Sequence, residues 1–409
     1  MNRKEYIAGL DIGTTKICCV LADVDMTSGE TDIIGVGTAP SDGVRKGVIV
    51  DLDSTTEAIR DAVGQAQNQA GNFQIRTVAV GVTGEHISSL NSRGVIPISS
   101  ESKEITVDDV ERVVEASKVI VLPPEREIIH SIPRDFTVDG QDGVKEPVGM
   151  FGSRLEVDTH IVTGSTTFID NVVKCVQQAG LAIDCEVLEP IATSSAVVLD
   201  PEKELGVALI DIGGGTTNVA LFIDGEIFYT AVIPLGGNHV TRDIAVGLRT
   251  SQEEAERVKI ENGCSSLNMV GEEELFEVCS LGSDESRELP RKILVSIIEP
   301  RMEEIFDKVR DELVKSGHLG MLPAGAVVTG GGALLPGAVD MAGNLLSMPV
   351  RLGLPREIGG RVDEVDTPIH ATAVGLVKYS AKRQLGLRAR QKTATLKGGL
   401  RGLFKLFGK

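Results

Sequence analysis

Apolar runs closed by glycine recur along this chain and read as strands, with amphipathic stretches between them. Near the N-terminus stands IAGLDIGTTKICCVLADVD, and some two hundred residues later GVALIDIGGGTTNVALFIDG. Each predicts an apolar strand, Asp-Ile-Gly, a Gly/Thr turn ending in Lys or Asn, and a second apolar strand. One such hairpin is weak evidence, because glycine and threonine close turns for steric reasons alone. Two copies a domain length apart predict a duplicated unit with similar loops facing each other. A third glycine cluster, AGAVVTGGGALLPG, reads as a buried strand through Val327 and Val328 that opens through Gly330, Gly331 and Gly332 toward a helix. SQEEAERVKIENG has a Ser N-cap, early acids and a Gly stop, and reads as a helix.

The last residues, TLKGGLRGLFKLFGK, have a different pattern. At about 100° per residue, Leu396, Leu400, Leu403, Phe404 and Phe407 fall on one side, with Lys397, Arg401, Lys405 and Lys409 opposite. Such a helix is about 20 Å long, too short for a hydrocarbon core of about 30 Å, and suits the interface of an anionic membrane. The preceding 383–395 reads as a charged, flexible linker.

Charge sharpens this contrast. The chain of 409 residues carries −18, yet residues 367–409 hold ten Lys and Arg and no acid, so the rest carries −28. An acidic body argues against nucleic-acid binding. Apolar content of 42% with 24% charged residues is ordinary globular usage, and no apolar run reaches a membrane-spanning length. MNRKEYIAGLDIG enters a strand without a signal-peptide pattern. The six Cys form no CxxC and the six His no HExxH, so buried thiols in a reducing cytoplasm, and no zinc, are expected.

The residue types in the hairpins define a chemistry. Gly13, Gly213, Gly214 and Gly215 let backbone N–H groups approach an anion. Thr14, Thr15, Thr216 and Thr217 add hydroxyls, and Lys16 adds charge. Asp11 and Asp211 would repel a bare phosphate, so their sensible partner is a hydrated Mg²⁺ held on phosphate oxygens. The set predicts a clamp for a nucleoside triphosphate, although no GxxxxGK[ST] or GxGxxG motif occurs. Glu256 and Lys259 share a helix face, and pattern alone reads them as an exposed ion pair.

In order and spacing, DIGTTK, DIGGGTTN and VVTGGGALLPG resemble the phosphate and adenosine motifs of the actin/Hsp70/sugar-kinase ATPase superfamily. LEPIATSSAVV and TPIHATAVGLVKYS look like its two connecting helices. Within it, VIPLGGNHVTRDIAVGLRTSQEEAERVK, TVAVGVTGEHISSLNSRGVIPI, EITVDDVERVVEASKVI and the basic tail resemble the bacterial division family FtsA. The resemblance implies an α/β, actin-like bilobal fold of duplicated RNase H-like lobes. Lobe one would hold 5–84, 164–198 and 367–382, with an inserted subdomain at 85–163. Lobe two would hold 199–236 and 323–366, with a second insertion at 237–322. The linker 383–395 and a membrane-targeting helix 396–409 would follow.

The resemblance further implies ATP and Mg²⁺ between the lobes, with Asp11 and Asp211 toward the metal and Asn218 in the second phosphate motif. Glu256 and Lys259 would face adenosine, against the pattern-only reading. Glu189 sits where relatives such as MreB place a water-orienting acid, which allows at most a slow ATPase. The implied partners are the C-terminal peptide of the tubulin-like GTPase FtsZ, a membrane surface at the division site, further copies of this chain, and other division proteins through 85–163. In LPRKILVSIIEPRMEEIF, residues Arg291, Lys292 and Arg301 are candidate contacts for the peptide. A PilM-like pilus scaffold and a small-molecule kinase are the competing readings of the same superfamily.

Overall fold

In a computed structural model of the chain, which describes residues 4–281 and 286–406 and side chains as far as Arg388, two sheets of one design flank a cleft. The first runs in the order Ala182–Leu188, Thr77–Val82, Lys4–Ile12, Lys16–Asp25, Thr31–Pro40. The second runs Val350–Leu352, Ala326–Thr329, Val207–Ile212, Thr217–Ile223, Glu226–Ile233. In both, three strands form an antiparallel meander and two further strands join in parallel. The duplication read from the two hairpins therefore extends to the whole sheet.

These strands form where apolar runs can be covered on both faces. Every residue of Val207–Ile212 and of Thr217–Ile223 is buried, as the continuous apolar lettering of a doubly covered sheet requires. On the outer face of the first sheet, helix Leu52–Gln69 starts at Asp51, whose carboxylate accepts the N–H groups of Asp53 and Ser54. On the outer face of the second, helices Gly237–Leu248, Gln252–Asn262 and Arg291–Lys315 enclose a core that includes Phe306, Ile244 and Val258.

Between the sheets lie the two connecting helices, Glu189–Val197 and the first turns of Ala371–Leu406. Helix Glu189–Val197 is buried at all but one position. Gly375 crosses it so closely that a Cβ there would overlap the Ala192 carbonyl oxygen. Only glycine fits such a backbone approach.

The inserted subdomain is a four-stranded antiparallel sheet in the order Ser88–Pro97, Arg154–Ser165, Arg126–Val138, Gln141–Val144. Helix Val107–Ser117, with a Thr106/Asp109 capping box, packs on it. Its edge also reaches the second lobe, where Ser89 Oγ donates to the Thr230 carbonyl at 2.8 Å and His160 Nε2 lies 3.1 Å from Thr230 Oγ1.

Two expectations change. Gly359 and Gly360, expected with the second lobe, pair with Asp32 and Ile33 and add a sixth strand to the first sheet. The segment 383–395, expected as a flexible linker, is part of one backbone helix that runs through Leu406. Its alanines, leucines and straight-chain cations are good helix formers, and this local propensity extends the connecting helix. The side chains of Leu396, Lys397, Leu400, Arg401, Leu403, Phe404 and Lys405, and Phe407 altogether, lie outside the described residues. No helix among the described residues is long and apolar enough to cross a membrane.

Candidate functional site

The cleft between the lobes holds a cavity of about 360 Å³, within the range of small-ligand sites. Its walls begin with the two hairpin turns, which are built alike. Gly13 N–H donates to the Lys16 carbonyl at 3.0 Å, and Gly213 N–H donates to the Thr216 carbonyl at 2.9 Å. Ile12 stands opposite Ile17, and Ile212 opposite Thr217. The turns are therefore equal in length, and Lys16 corresponds to Thr216 rather than to Asn218.

This register corrects one residue. Thr216 and Asn218 face the cavity, whereas Thr217 points to the other face of the strand, and its hydroxyl donates to the Leu235 carbonyl at 2.9 Å. All other cleft candidates line the cavity: Asp11, Gly13, Thr14, Thr15, Lys16, Glu189, Asp211, Gly213, Gly214, Gly215, Thr216, Asn218, Glu256, Lys259, Gly330, Gly331 and Gly332.

The turns meet tip to tip. A Cβ on Gly214 would run into the Thr15 side chain, and one on Gly215 would lie 2.5 Å from Thr14 Oγ1. The N–H groups of Thr14, Thr15, Gly214 and Gly215 donate to no acceptor among the described residues. Open amides lining a cavity are anion donors. Thr14 Oγ1 accepts the Gly47 N–H at 3.1 Å, so its own O–H stays available to donate. Gly47 is the tip of a small hairpin and lies at φ +74°, beside Thr83 and Gly84.

Carboxylates gather beneath the turns. Lys16 Nζ donates to Asp11 Oδ2 at 3.1 Å. Burial works against the ammonium, but Asp11 outweighs it and holds Lys16 above its usual pKa. Asp211 Oδ2 accepts the hydroxyls of Thr193 and Thr372, at 3.1 and 3.2 Å, one from each connecting helix. Burial, and then repulsion from Asp11, push Asp211 up to about 6. Glu189 is raised well above the ordinary glutamate range by burial and then by Asp11 and Asp211. Its Oε2 accepts the Asn218 Nδ2 at 2.9 Å.

Three buried carboxylates around one lysine fit a divalent cation, which would relieve their repulsion. Among the described residues no three His, Cys, Asp or Glu side chains converge to hold a metal unaided. That suits a cation whose other ligands are water and phosphate oxygens.

The far end of the cavity is apolar, lined by Val240, Ile260, Met302, Leu334, Leu335 and Pro336. At its edge Lys259 Nζ donates to Glu256 Oε2 at 2.6 Å and to Thr241 Oγ1 at 2.8 Å. Glu256 and Lys259 are thus an ion pair and a cavity wall at once. Gly330, at φ +82°, passes beside Asp211, where a Cβ would overlap the Asp211 carboxylate.

Sequence reading missed Thr83, Thr193, Thr372 and Asn238, which also line the cavity or bond its carboxylates. A usable signal existed for two of them, a threonine after alanine in each apolar connecting segment. The three partner candidates lie elsewhere and already carry counter-charges. Arg301 binds Asp243 at 2.6 Å and also Glu304, Arg291 binds Glu274 at 2.6 Å, and Lys292 binds Glu272.

The fold and this cleft define the actin-like ATPase class of architecture. Solved structures agree with that class. A PilM–PilN type IV pilus biogenesis complex matches at TM-score 0.68 and 16% identity, covering 92% of this chain and 98% of that one. MreB5 of Spiroplasma citri bound to ADP matches at 0.56 and 13%, covering 94% and 98%. The family model for cell division protein FtsA matches residues 208–375, and that for the SHS2 domain inserted in FtsA matches 84–163. Curated FtsA proteins of Pseudomonas aeruginosa and Bacillus subtilis are 43% and 44% identical, each over 93% of this chain and 90% and 85% of their own length. FtsA of Escherichia coli is 37% identical over 93% of this chain and 92% of its own. The chain belongs to the cell division protein FtsA family.

Proposed function

We propose that the cleft binds ATP with Mg²⁺, and that the protein tethers FtsZ filaments to the inner face of the cytoplasmic membrane. The observation that carries the first part is the meeting of two equal turns with open amides above Asp11, Lys16 and Asp211. Amides and the Lys16 ammonium suit the phosphate chain, and the apolar end with Glu256 and Lys259 suits adenosine. Bound Mg²⁺ would neutralise phosphate charge, with Asp11 and Asp211 on its water shell. Glu189 would orient or deprotonate a water for in-line attack on the terminal phosphate, at a slow rate.

The second part rests on family membership together with the basic amphipathic tail, Leu396 to Phe407. One tail binds weakly, because four glycines disfavour its helix by about 1 kcal/mol each. Self-association of the body would join several tails and raise attachment through avidity. The FtsZ peptide would dock on the Arg291–Lys315 helix, with Arg291, Lys292 and Arg301 exchanging their internal carboxylates for the peptide's acidic groups.

The test is co-pelleting with anionic liposomes, with and without ATP, of the full chain and of a chain ending at Ala394. Pelleting that needs the tail and rises with ATP supports the reading. If both chains stay in the supernatant under every condition, the tether is wrong.

A further inference from the structure

Glu189 is held from two sides, and both holds lead to the inserted subdomain. On the first, strand Arg126–Val138 of the subdomain carries His130 to the residue just before Glu189, where the Leu188 N–H donates to His130 Nε2 at 2.9 Å. Leu188 ends its strand and is the N-cap of helix Glu189–Val197, so this bond fixes the point where strand turns into helix. An Nε2 that accepts belongs to a neutral ring with its proton on Nδ1. Burial lowers the His130 pKa to about 4 and keeps the ring neutral through ordinary pH.

The second hold crosses the cleft. Asn218 donates to Glu189 Oε2 through Nδ2, and its Oδ1 accepts the Thr83 hydroxyl at 2.8 Å. Thr83 immediately precedes Gly84, at φ +132°, where the chain leaves the first sheet for the subdomain. The subdomain also grips the second lobe at Thr230, through Ser89 and His160. Thr230 pairs with Ala220, two residues beyond Asn218 on the neighbouring strand. A displaced subdomain would therefore disturb both the backbone before Glu189 and the amide on its carboxylate.

We propose that His130 and Thr83 are positioning residues for Glu189, and that through them the inserted subdomain sets the hydrolytic competence of the cleft. Any partner that shifts this subdomain then acts on turnover without touching nucleotide. The inference rests on the reading of the cleft as an ATP site with Glu189 as its acid.

The test measures ATP affinity with a fluorescent ATP analogue, and turnover at saturating Mg-ATP, on the full-length protein. The variants are E189Q, H130A, H130Q and T83V, each with its thermal midpoint. E189Q should lose turnover. H130A and T83V should lower turnover by about tenfold or more, as small misplacements of a reacting group do. H130A, whose side chain is not part of the cavity wall, should keep affinity within about twofold of the parent. H130Q keeps an acceptor in reach of Leu188 and should recover most of the loss. A parent that binds no ATP, or E189Q with full turnover, overturns the hydrolytic reading and this proposal with it. Turnover lost in E189Q but intact in H130Q, H130A and T83V overturns the positioning role alone. If H130A does not fold, T83V and H130Q decide between these outcomes.

Discussion

Thr14 Oγ1 and the Cα of Gly215 belong to opposite lobes, yet a single methyl group on Gly215 would stand 2.5 Å from that oxygen. The contact between the two turns depends on this missing Cβ. Gly215→Ala should hold the turns apart and weaken ATP by about tenfold or more, as overpacking costs 1–3 kcal/mol. The thermal midpoint without nucleotide should change little. Titration with a fluorescent ATP analogue checks this, and unchanged affinity would mean that the turns need not meet.

The crossing of the connecting helices makes a stronger demand. At Gly375 an added Cβ overlaps the Ala192 carbonyl, which is backbone and cannot rotate away. Gly375→Ala should destabilise the protein by about 2–4 kcal/mol, read as a lower midpoint in chemical denaturation. Gly386, whose Cβ position is open, is the control. Gly386→Ala should leave stability equal or slightly higher.

Acid should unfold the protein through its histidines. Burial lowers His130 and His160 to about 4, and burial with Lys16 does the same to His370. The unfolded chain takes up these protons near 6.5 and the native chain near 4, so stability falls as pH drops through that window. Asp211, raised to about 6 by burial and Asp11, has the opposite sign. Its native carboxyl gains a proton first, so it adds stability as pH falls from 6 toward 4. Glu189, raised by burial and then by Asp11 and Asp211, has the same sign as Asp211, so two carboxyls offset part of the histidine loss. Asp211→Asn removes its share of the offset, so its midpoint should drop more steeply with acid than the parent's in thermal scans from pH 7 to 4.5.

Arg301 tests the partner surface. Its guanidinium lies between Asp243 and Glu304, so Arg301→Glu sets three acids together and should cost about 1 kcal/mol besides any loss of FtsZ peptide binding. Pairing it with Asp243→Arg restores the internal ion pair. If the peptide uses Arg301, the double variant regains stability and still binds weakly. Recovery of both would assign Arg301 a purely internal role.

The two phosphate-type hairpins and the third glycine cluster were legible because they are written as local patterns, whereas the insertion, Glu189 and the place of Glu256 and Lys259 came from the family resemblance. Asp-Ile-Gly before a Gly/Thr turn appears twice, and the third glycine cluster follows a strand. What local pattern could not supply was register. DIGTTK and DIGGGTTN differ by two letters, and aligning them by letters pairs Lys16 with Asn218 and draws Thr217 into the site. The sheet counts residues from the turn instead, and its twofold alternation turns Thr217 away. His130 was invisible for another reason. Its partner Leu188 is 58 residues away and contributes only a backbone amide, which any residue but proline could offer.

The crossing at Gly375 and Ala192 has a mechanical meaning. Each of the two helices that touch there lends one hydroxyl, Thr193 or Thr372, to the same Asp211 oxygen, and the hydroxyls lie 2.9 Å apart. The crossing of the connecting helices and the ionic centre of the cleft are thus one place. A load on either lobe that makes the helices slip must alter the solvation of Asp211. Such a slip would arrive in the cleft as a change in carboxylate acidity.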